Sequence, residues 1–278
     1  MIEEQKPNNS TETAILPMQC YVQCGDNLEL LKSQPNESVN MIYCDILYGT
    51  GRNFGDYQDL KPIRSEIESH YLPRLIEMKR VLKQNGSIYL QMDTRINHWM
   101  RILMDEVFGY ENFRNEIVVC ISKGNQTNKH FAKRHDILLY YTKSKEWIYN
   151  LDAVSKDNPE HKRYKYQDEK GFYRWHIESI KDYKMYLKKQ NINDVWNDVG
   201  IVQGNSIENT GYSTQKPKAL IERIIKASSN EGDTVADFYA GSFTTAEVCK
   251  DLNRNFIGCD INPKAVEIGV KRLNGGVV

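Results

Sequence analysis

Near its carboxyl end the chain reads Asp237-Phe-Tyr-Ala-Gly-Ser-Phe-Thr-Thr245, followed by Phe256-Ile-Gly-Cys-Asp260. A short apolar run, Thr234 to Ala236, leads into an acidic residue, then a tight Gly/Ser turn, then a helix-like segment. A second apolar run ends in another acidic residue. This is a strand–turn–helix–strand unit with a carboxylate at the tip of each strand. Small residues let backbone approach a ligand, and the second carboxylate accepts hydrogen bonds from ribose hydroxyls. The two acids are about 20 residues apart, as nucleoside binding requires. The turn is not G-x-G-x-x-G, so a nucleoside smaller than a dinucleotide is the natural ligand, and an NAD-linked dehydrogenase is a distant alternative.

The rest of the chain repeats the pattern. Strands are expected at Cys20 to Gln23, Val39 to Cys44, Ser87 to Met92, Ile117 to Ser122 and Asp136 to Thr142. Helices are expected at Leu28 to Lys32, Glu66 to Lys83, Asn97 to Phe108 and Lys218 to Ser228. The second helix carries Leu72, Leu75, Ile76, Val81 and Leu82 at helical spacing and stops at Asn85-Gly86, a C-cap signal. The 136–142 run alternates like a hairpin partner. Such alternation implies an α/β fold, doubly wound, with a mostly parallel Rossmann-like sheet and helices on both faces. Ligands then sit at the carboxyl ends of the strands, where Asp26, Asp45, Asp93, Asp237 and Asp260 fall.

At 278 residues the chain can bury a sizeable core. Its formal charge is zero, so any nucleic-acid surface must be local. Cys20, Cys24, Cys44, Cys120, Cys249 and Cys259 lie mostly in apolar runs, which suits buried thiols in a reducing compartment; no metal is expected, since Cys20 and Cys24 lack a second pair. No apolar run is long enough to span a bilayer. Residues 1–17 read as a disordered or extended tail. Residues 143–209 differ from the rest, interleaving Lys and Arg with Tyr and Trp, as in Arg163-Tyr-Lys-Tyr166 and Phe172-Tyr-Arg-Trp-His176. That mixture suits phosphate contacts and base packing, and equally an ordinary solvated insertion.

Two further motifs carry chemistry. In Asp45-Ile-Leu-Tyr48, a strand delivers a carboxylate and an aromatic ring into a loop. A carboxylate and the next carbonyl can accept both N–H bonds of an exocyclic amine, and the ring can stack on a flipped base. An Asp capping a turn gives the same pattern. Ser213-Thr-Gln-Lys-Pro217 precedes a helix whose positive end, with Lys216, suits a carboxylate, although a plain helix cap reads alike.

In order, spacing and residues, the three motifs together resemble the beta group of S-adenosylmethionine-dependent DNA amino-methyltransferases of bacterial restriction–modification systems, from about Cys20 to Leu273. The resemblance divides the chain into a catalytic half (18–142), a target-recognition insertion (143–209) and a cofactor-binding half (210–278). It makes Asp45, the carbonyl of Ile46, and Tyr48 catalytic, as in D-P-P-Y, with Gly49-Thr-Gly51 and Phe54-Gly-Asp56 as the usual continuation. It assigns cofactor contacts to Asp26 (adenine ring), Thr214 and Lys216 (methionine part), Asp237, Tyr239, Ala240, Gly241, Ser242 and Thr244 (the D-P-F-x-G-S-G-T-T loop), and Asp260 (ribose). DNA contacts fall to Arg163, Lys165 and Arg174. Asp45 stands where cytosine-N4 enzymes usually carry Ser, which favours adenine N6 in double-stranded DNA. Cytosine-N4 transfer and a catalytically weakened DNA-binding relative are the alternatives. A homodimer and a cognate restriction endonuclease are open as partners, and the bacterial cytoplasm is the expected location. Two departures stand out. Ile46 and Leu47 replace the family's prolines, so the loop's rigidity must come from elsewhere. Phe243 replaces the loop's second glycine and is expected to crowd the loop or shift the methionine end.

Overall fold

The computed structural model describes residues 19–274 except 54–56, 122–126, 157–161, 178–182, 187, 200–201, 203–205 and 213. The expected tail, the Phe54-Gly-Asp56 continuation and Ser213 lie outside the described residues. In chain order the elements are β1 (Cys20–Cys24), α1 (Asn27–Ser33), β2 (Val39–Asp45), α2 (Arg64–Val81), β3 (Leu82–Met92), α3 (Asn97–Phe108), β4 (Phe113–Cys120) and β5 (His135–Thr142). Then follow α4 (Leu151–Val154), β6 (Tyr166–Asp168), β7 (Gly171–His176), β8 (Tyr183–Tyr186) and β9 (Val195–Trp196). The chain closes with α5 (Lys218–Ser228), β10 (Thr234–Asp237), α6 (Thr244–Asp251), β11 (Asn255–Asp260) and α7 (Pro263–Leu273).

The main sheet has the order β1-β11-β10-β2-β3-β5-β4-β9. All its pairings are parallel except those of β5, which runs against both β3 and β4. Alternate strand residues face opposite layers. Ile42, Cys44, Ile88 and Leu90 pack on α1, α2 and α3 through Leu31, Leu75 and Met104. Met41, Tyr43, Tyr89 and Val235 pack on the other layer through Leu220, Ile224, Ala246 and Ala265. The strand order reverses between β10 and β2, the switch point where a doubly wound sheet leaves a crevice.

Several local expectations are corrected. Helix α2 ends at Val81, and Leu82 is already extended, so Asn85-Gly86 is not a C-cap but the interior of β3. Gly86 is needed there because a Cβ would lie 2.8 Å from the Asn40 carbonyl and the Leu82 side chain. Leu72 and Ile76 are exposed; the buried stripe of α2 is Ile67, Tyr71, Leu75, Met78 and Val81. Only Cys44, Cys249 and Cys259 are buried, while Cys20 and Cys24 are exposed on the edge strand and its end. The 143–209 segment, aperiodic as sequence, contains the antiparallel sheet β6-β7-β8, while β9 pairs with β4 at the edge of the main sheet. Among the described residues no helix is long and apolar enough to cross a membrane.

Candidate active site

A cavity of about 480 Å³ opens at the switch point. Its size falls within the roughly 300–1,000 Å³ of small-molecule sites. Asp45, Ile46, Tyr48, Asp26, Thr214, Lys216, Asp237, Tyr239, Ala240, Gly241, Ser242, Thr244 and Asp260 all line it. Arg163, Lys165 and Arg174 do not, and neither does Asp93, which turns back to accept Arg95 N at 2.7 Å.

One end of the cavity is built by the loop after β10. Asp237 folds it: Oδ1 accepts Tyr239 N at 3.1 Å and Oδ2 accepts the Thr245 hydroxyl at 2.6 Å. Burial, opposed by those bonds, pushes the Asp237 carboxyl up to about 7. Gly241 has φ +50 and gives its N–H to Asp260 Oδ2 at 2.9 Å; Asp260 Oδ1 takes Asn262 N at 2.8 Å. Asp260, whose carboxyl burial also raises, therefore ties the loop to the end of β11. Beside Asp260, at the end of β1, Asp26 caps α1 through Leu28 N at 2.7 Å and pairs with Arg74 at 2.9 Å. Arg74 also holds Asn27 Oδ1 at 2.6 Å, and Asn27 Nδ2 reaches the Phe238 carbonyl at 2.8 Å. His70 Nε2 lies 3.0 Å from the Tyr239 hydroxyl. Burial, with Arg74 beside it, pushes that imidazole down to about 4.

Phe243 does not crowd the cavity. It sits in the left-handed region (φ 57, ψ 33) with its ring wholly buried in the layer beneath the loop. The ring meets Phe256 edge-on at 6.2 Å between centroids and lies against Gly269, where a Cβ would come within 2.5 Å of it. The backbone conformation that glycine adopts freely is kept at a cost of roughly 1–2 kcal/mol, offset by a buried aromatic ring.

The other end of the cavity is ionic. The Lys216 ammonium lies 3.0 Å from Asp45 Oδ2 and 3.6 Å from Asp136 Oδ2, and donates to the Tyr48 hydroxyl at 2.8 Å. That hydroxyl is 2.8 Å from both Asp45 Oδ1 and Asp136 Oδ2, and its one proton serves either carboxylate. Gln91 Nε2 donates to Asp136 at 2.9 Å and takes the Tyr43 hydroxyl on Oε1 at 2.8 Å. Burial raises the Asp45 carboxyl, with Lys216 opposing. Burial lowers the Lys216 ammonium, but Asp45 and Asp136 outweigh it and leave its pKa raised. The loop carrying Asp45 is fixed without prolines. Ile46 spends its N–H, which proline lacks, on the Gln91 carbonyl at 3.0 Å; Tyr71 donates its hydroxyl to the Leu47 carbonyl at 3.0 Å. Farther along, the buried Asp59 carboxylate accepts Gly49 N at 3.2 Å and Thr50 N at 2.7 Å.

At the start of α5 the free N–H of Lys218 is taken by Glu208 Oε2 at 2.9 Å, an acid the sequence reading passed over. Asp136, Gln91, Arg74, Asn27 and Asp59 were missed as well. Asp136 had a signal. A hairpin partner running against the parallel strands begins at the edge where they end, so the acid opening that run belongs to the ligand edge.

In the β6-β7-β8 sheet, Tyr166, Tyr173 and Tyr186 form one cluster, with Lys184 4.3 Å from the Tyr173 ring. Arg174 is half-buried near Tyr164, whereas Arg163 and Lys165 are exposed.

Known proteins resemble this chain in sequence and in fold. A DNA methylase family model matches residues 39–271. The chain is 33 % identical over 254 residues to the DNA adenine methyltransferase YhdJ of Escherichia coli K12, covering 90 % of this chain and 81 % of that protein. It is 32 % identical over 254 residues to the type II methyltransferase M.HpaI of Haemophilus parainfluenzae, covering 90 % and 73 %. In fold it resembles M1.HpyAVI in complex with SAM (TM-score 0.59, 20 % identity, 92 % and 100 % covered) and the cytosine-N4-specific PvuII DNA methyltransferase (TM-score 0.61, 17 % identity, 91 % and 86 % covered). The chain belongs to the DNA methylase family and is a DNA methyltransferase.

Proposed function

We propose that this chain methylates adenine N6 in double-stranded DNA at a short specific sequence. The observation that carries the reading is the carboxylate of Asp45 set beside Tyr48 at one end of the cavity, facing the Asp237 loop and Asp260 at the other. A flipped adenine presents two N–H bonds. Asp45 accepts one and the Ile46 carbonyl the other, which turns the nitrogen lone pair along the cavity. The Tyr48 ring stacks on the base, its tilt held by the hydrogen bonds of its hydroxyl. The residues lining the far end fit a nucleoside with an amino-acid tail. Asp260 faces the ribose and Asp26 the adenine ring, the backbone of Tyr239, Ala240 and Gly241 allows close approach, and Ser242, Thr244 and Thr214 serve the methionine part, whereas Lys216, expected beside them, belongs to the ionic end. S-adenosylmethionine, when bound, supplies a methyl group made electrophilic by its sulfonium. The protein contributes position and a preorganised field.

Residues 143–209 are the proposed recognition surface, with Arg163, Lys165 and Arg174 reaching DNA. Exchanging this segment for that of a relative is expected to change the methylated sequence and keep adenine as the base. The type II names of relatives such as M.HpaI support a cognate restriction endonuclease in the bacterial cytoplasm, and a homodimer is the proposed assembly. The test is sequencing, with modified-base detection, of genomic DNA from cells expressing the chain or its Asp45→Ala variant. N6-methyladenine at one sequence with the parent, and none with the variant despite retained cofactor binding, is expected. N4-methylcytosine, or full methylation by the variant, would overturn the reading.

A further inference from the structure

The catalytic end of the cavity holds one more carboxylate than an amine clamp needs. Asp136 is 5 % exposed and enters from β5, not from any of the three motifs. Its Oδ2 receives Gln91, faces the Tyr48 hydroxyl and lies 3.6 Å from Lys216. Lys216 meanwhile rests on Asp45 at 3.0 Å, on the acceptor that the target amine must use. An ammonium and an exocyclic amine compete for the same oxygen. The two carboxylates and one ammonium leave a formal charge of minus one beside a nitrogen that becomes positive as it is alkylated.

We propose that Asp136 is a positioning residue that takes over the Lys216 ammonium and the Tyr48 hydroxyl proton when the target amine occupies Asp45. Gln91, braced by Tyr43, aims Asp136 for this exchange. The inference rests on the reading of Asp45 as the amine acceptor. Without Asp136, Lys216 stays on Asp45, and the corner becomes formally neutral.

The test is Asp136→Asn in the full chain, with Asp136→Asn/Lys216→Met as second variant. The double variant restores the charge of minus one. Single-turnover methylation of DNA from methylation-deficient cells, at saturating cofactor, is expected to fall about 10- to 100-fold in D136N, as when an outer partner of a catalytic group is lost. It is expected to recover at least tenfold in the double variant. A second readout needs no cofactor: the carboxyl ¹³C resonance of Asp45, titrated in the apoprotein. The groups facing Asp45 are Tyr43, Tyr48, Tyr57, Asp136, Lys216 and Asp237. Asp136 raises the Asp45 carboxyl, so D136N must titrate at lower pH. A wild-type rate in D136N, a double variant no faster than D136N, or an unmoved Asp45 titration would overturn the proposal. If D136N does not fold, Gln91→Leu decides it: Gln91 aims Asp136 without lining the cavity, so a loss of tenfold or more at unchanged cofactor affinity supports the proposal and a smaller loss refutes it. Turnover by Asp45→Ala would instead sink the site reading beneath it.

Discussion

Phe243 and Gly269 form a matched pair, and the match can be measured. Phe243 is fully buried, so Phe243→Ala removes a ring and leaves a void; such changes cost about 3–5 kcal/mol. Gly269 lies in the middle of α7, where alanine gains about 0.5–1 kcal/mol if there is room. There is none: the new Cβ would stand 2.5 Å, 2.6 Å and 2.9 Å from three Phe243 atoms. Overpacking of that kind costs about 1–3 kcal/mol, so Gly269→Ala alone destabilises. In the double variant the methyl enters the void, the clash vanishes and the helix propensity is realised. The double variant is therefore expected to be less destabilised than the sum of the singles by about 2 kcal/mol, at the upper end of contact couplings. A third variant isolates the backbone term. Phe243→Gly loses the same ring but adopts φ 57 freely, and is expected to be about 1 kcal/mol more stable than Phe243→Ala. Urea unfolding at constant m reads all four values. Because the ring does not line the cavity, cofactor affinity should move by less than about 1.4 kcal/mol, or tenfold. Additivity within about 0.5 kcal/mol would show that the ring does not fill the space over Gly269 and would refute the reasoning.

Asp237 makes stability depend on pH. Burial lifts its folded carboxyl to about 7 from an ordinary 3.8, so between those values the native state keeps a proton that the unfolded chain has lost. Stability of the apoprotein falls as pH rises through that window, by on the order of 4 kcal/mol in all; Asp237→Asn should flatten the fall in urea midpoints from pH 4 to 7. Asp260→Ala should weaken S-adenosylmethionine binding roughly tenfold or more, the worth of a hydrogen bond to a charged group, and unchanged calorimetric affinity would refute its ribose role. DNA binding should fall steeply with salt although the chain is formally neutral. Replacing Arg163, Lys165 or Arg174 by Ala should reduce the salt slope by about 1 for each that contacts a phosphate; relaxed specificity at one base position with an unchanged slope would mean base readout instead.

The fold was legible because its signals are local. The parallel strands β1, β2, β3, β10 and β11 announce themselves as apolar runs ending in or beside an acid, and Asp26, Asp45, Asp237 and Asp260 converge on one cavity as that rule requires. The errors have equally local causes. Asn85-Gly86 mimics a helix stop, yet Gly86 is there because the Asn40 carbonyl of the neighbouring strand passes too close for a side chain. Leu72 and Ile76 share a period with the buried stripe of α2 but lie on its rim. Gln91, Arg74 and Glu208 were invisible for a different reason, and Asp136 was signalled only by its place at the start of the hairpin partner. Each acts through partners 45 or more positions away, or through an N–H ten residues on, and no spacing rule links Asp136 to Tyr48 or Arg74 to Asn27.

The two departures from the family pattern show how a loop can keep its shape after losing the residues that usually fix it. Proline rigidity acts by restricting φ and removing a donor. At Ile46 the donor is present and is used: its N–H extends the β2–β3 pairing one residue beyond Asp45, and its side chain is 3 % exposed in the first core layer. At Leu47 the carbonyl is held by Tyr71 of α2, a residue itself locked by burial. The Asp45 loop is thus positioned by tertiary contacts where the family uses covalent stiffness. Such contacts fix geometry only while the core around them is intact, so the site's precision is coupled to packing between α2 and the sheet. Tyr71→Phe tests that coupling. It keeps the ring and removes one hydrogen bond, worth about 0.5–1.5 kcal/mol of stability. It should lower the single-turnover rate while leaving cofactor affinity unchanged, because the Leu47 carbonyl is anchored to the loop bearing Asp45 and Tyr48 and not to the loop after β10. An unchanged rate would mean that the Ile46 amide and the buried Ile46 side chain hold the loop by themselves.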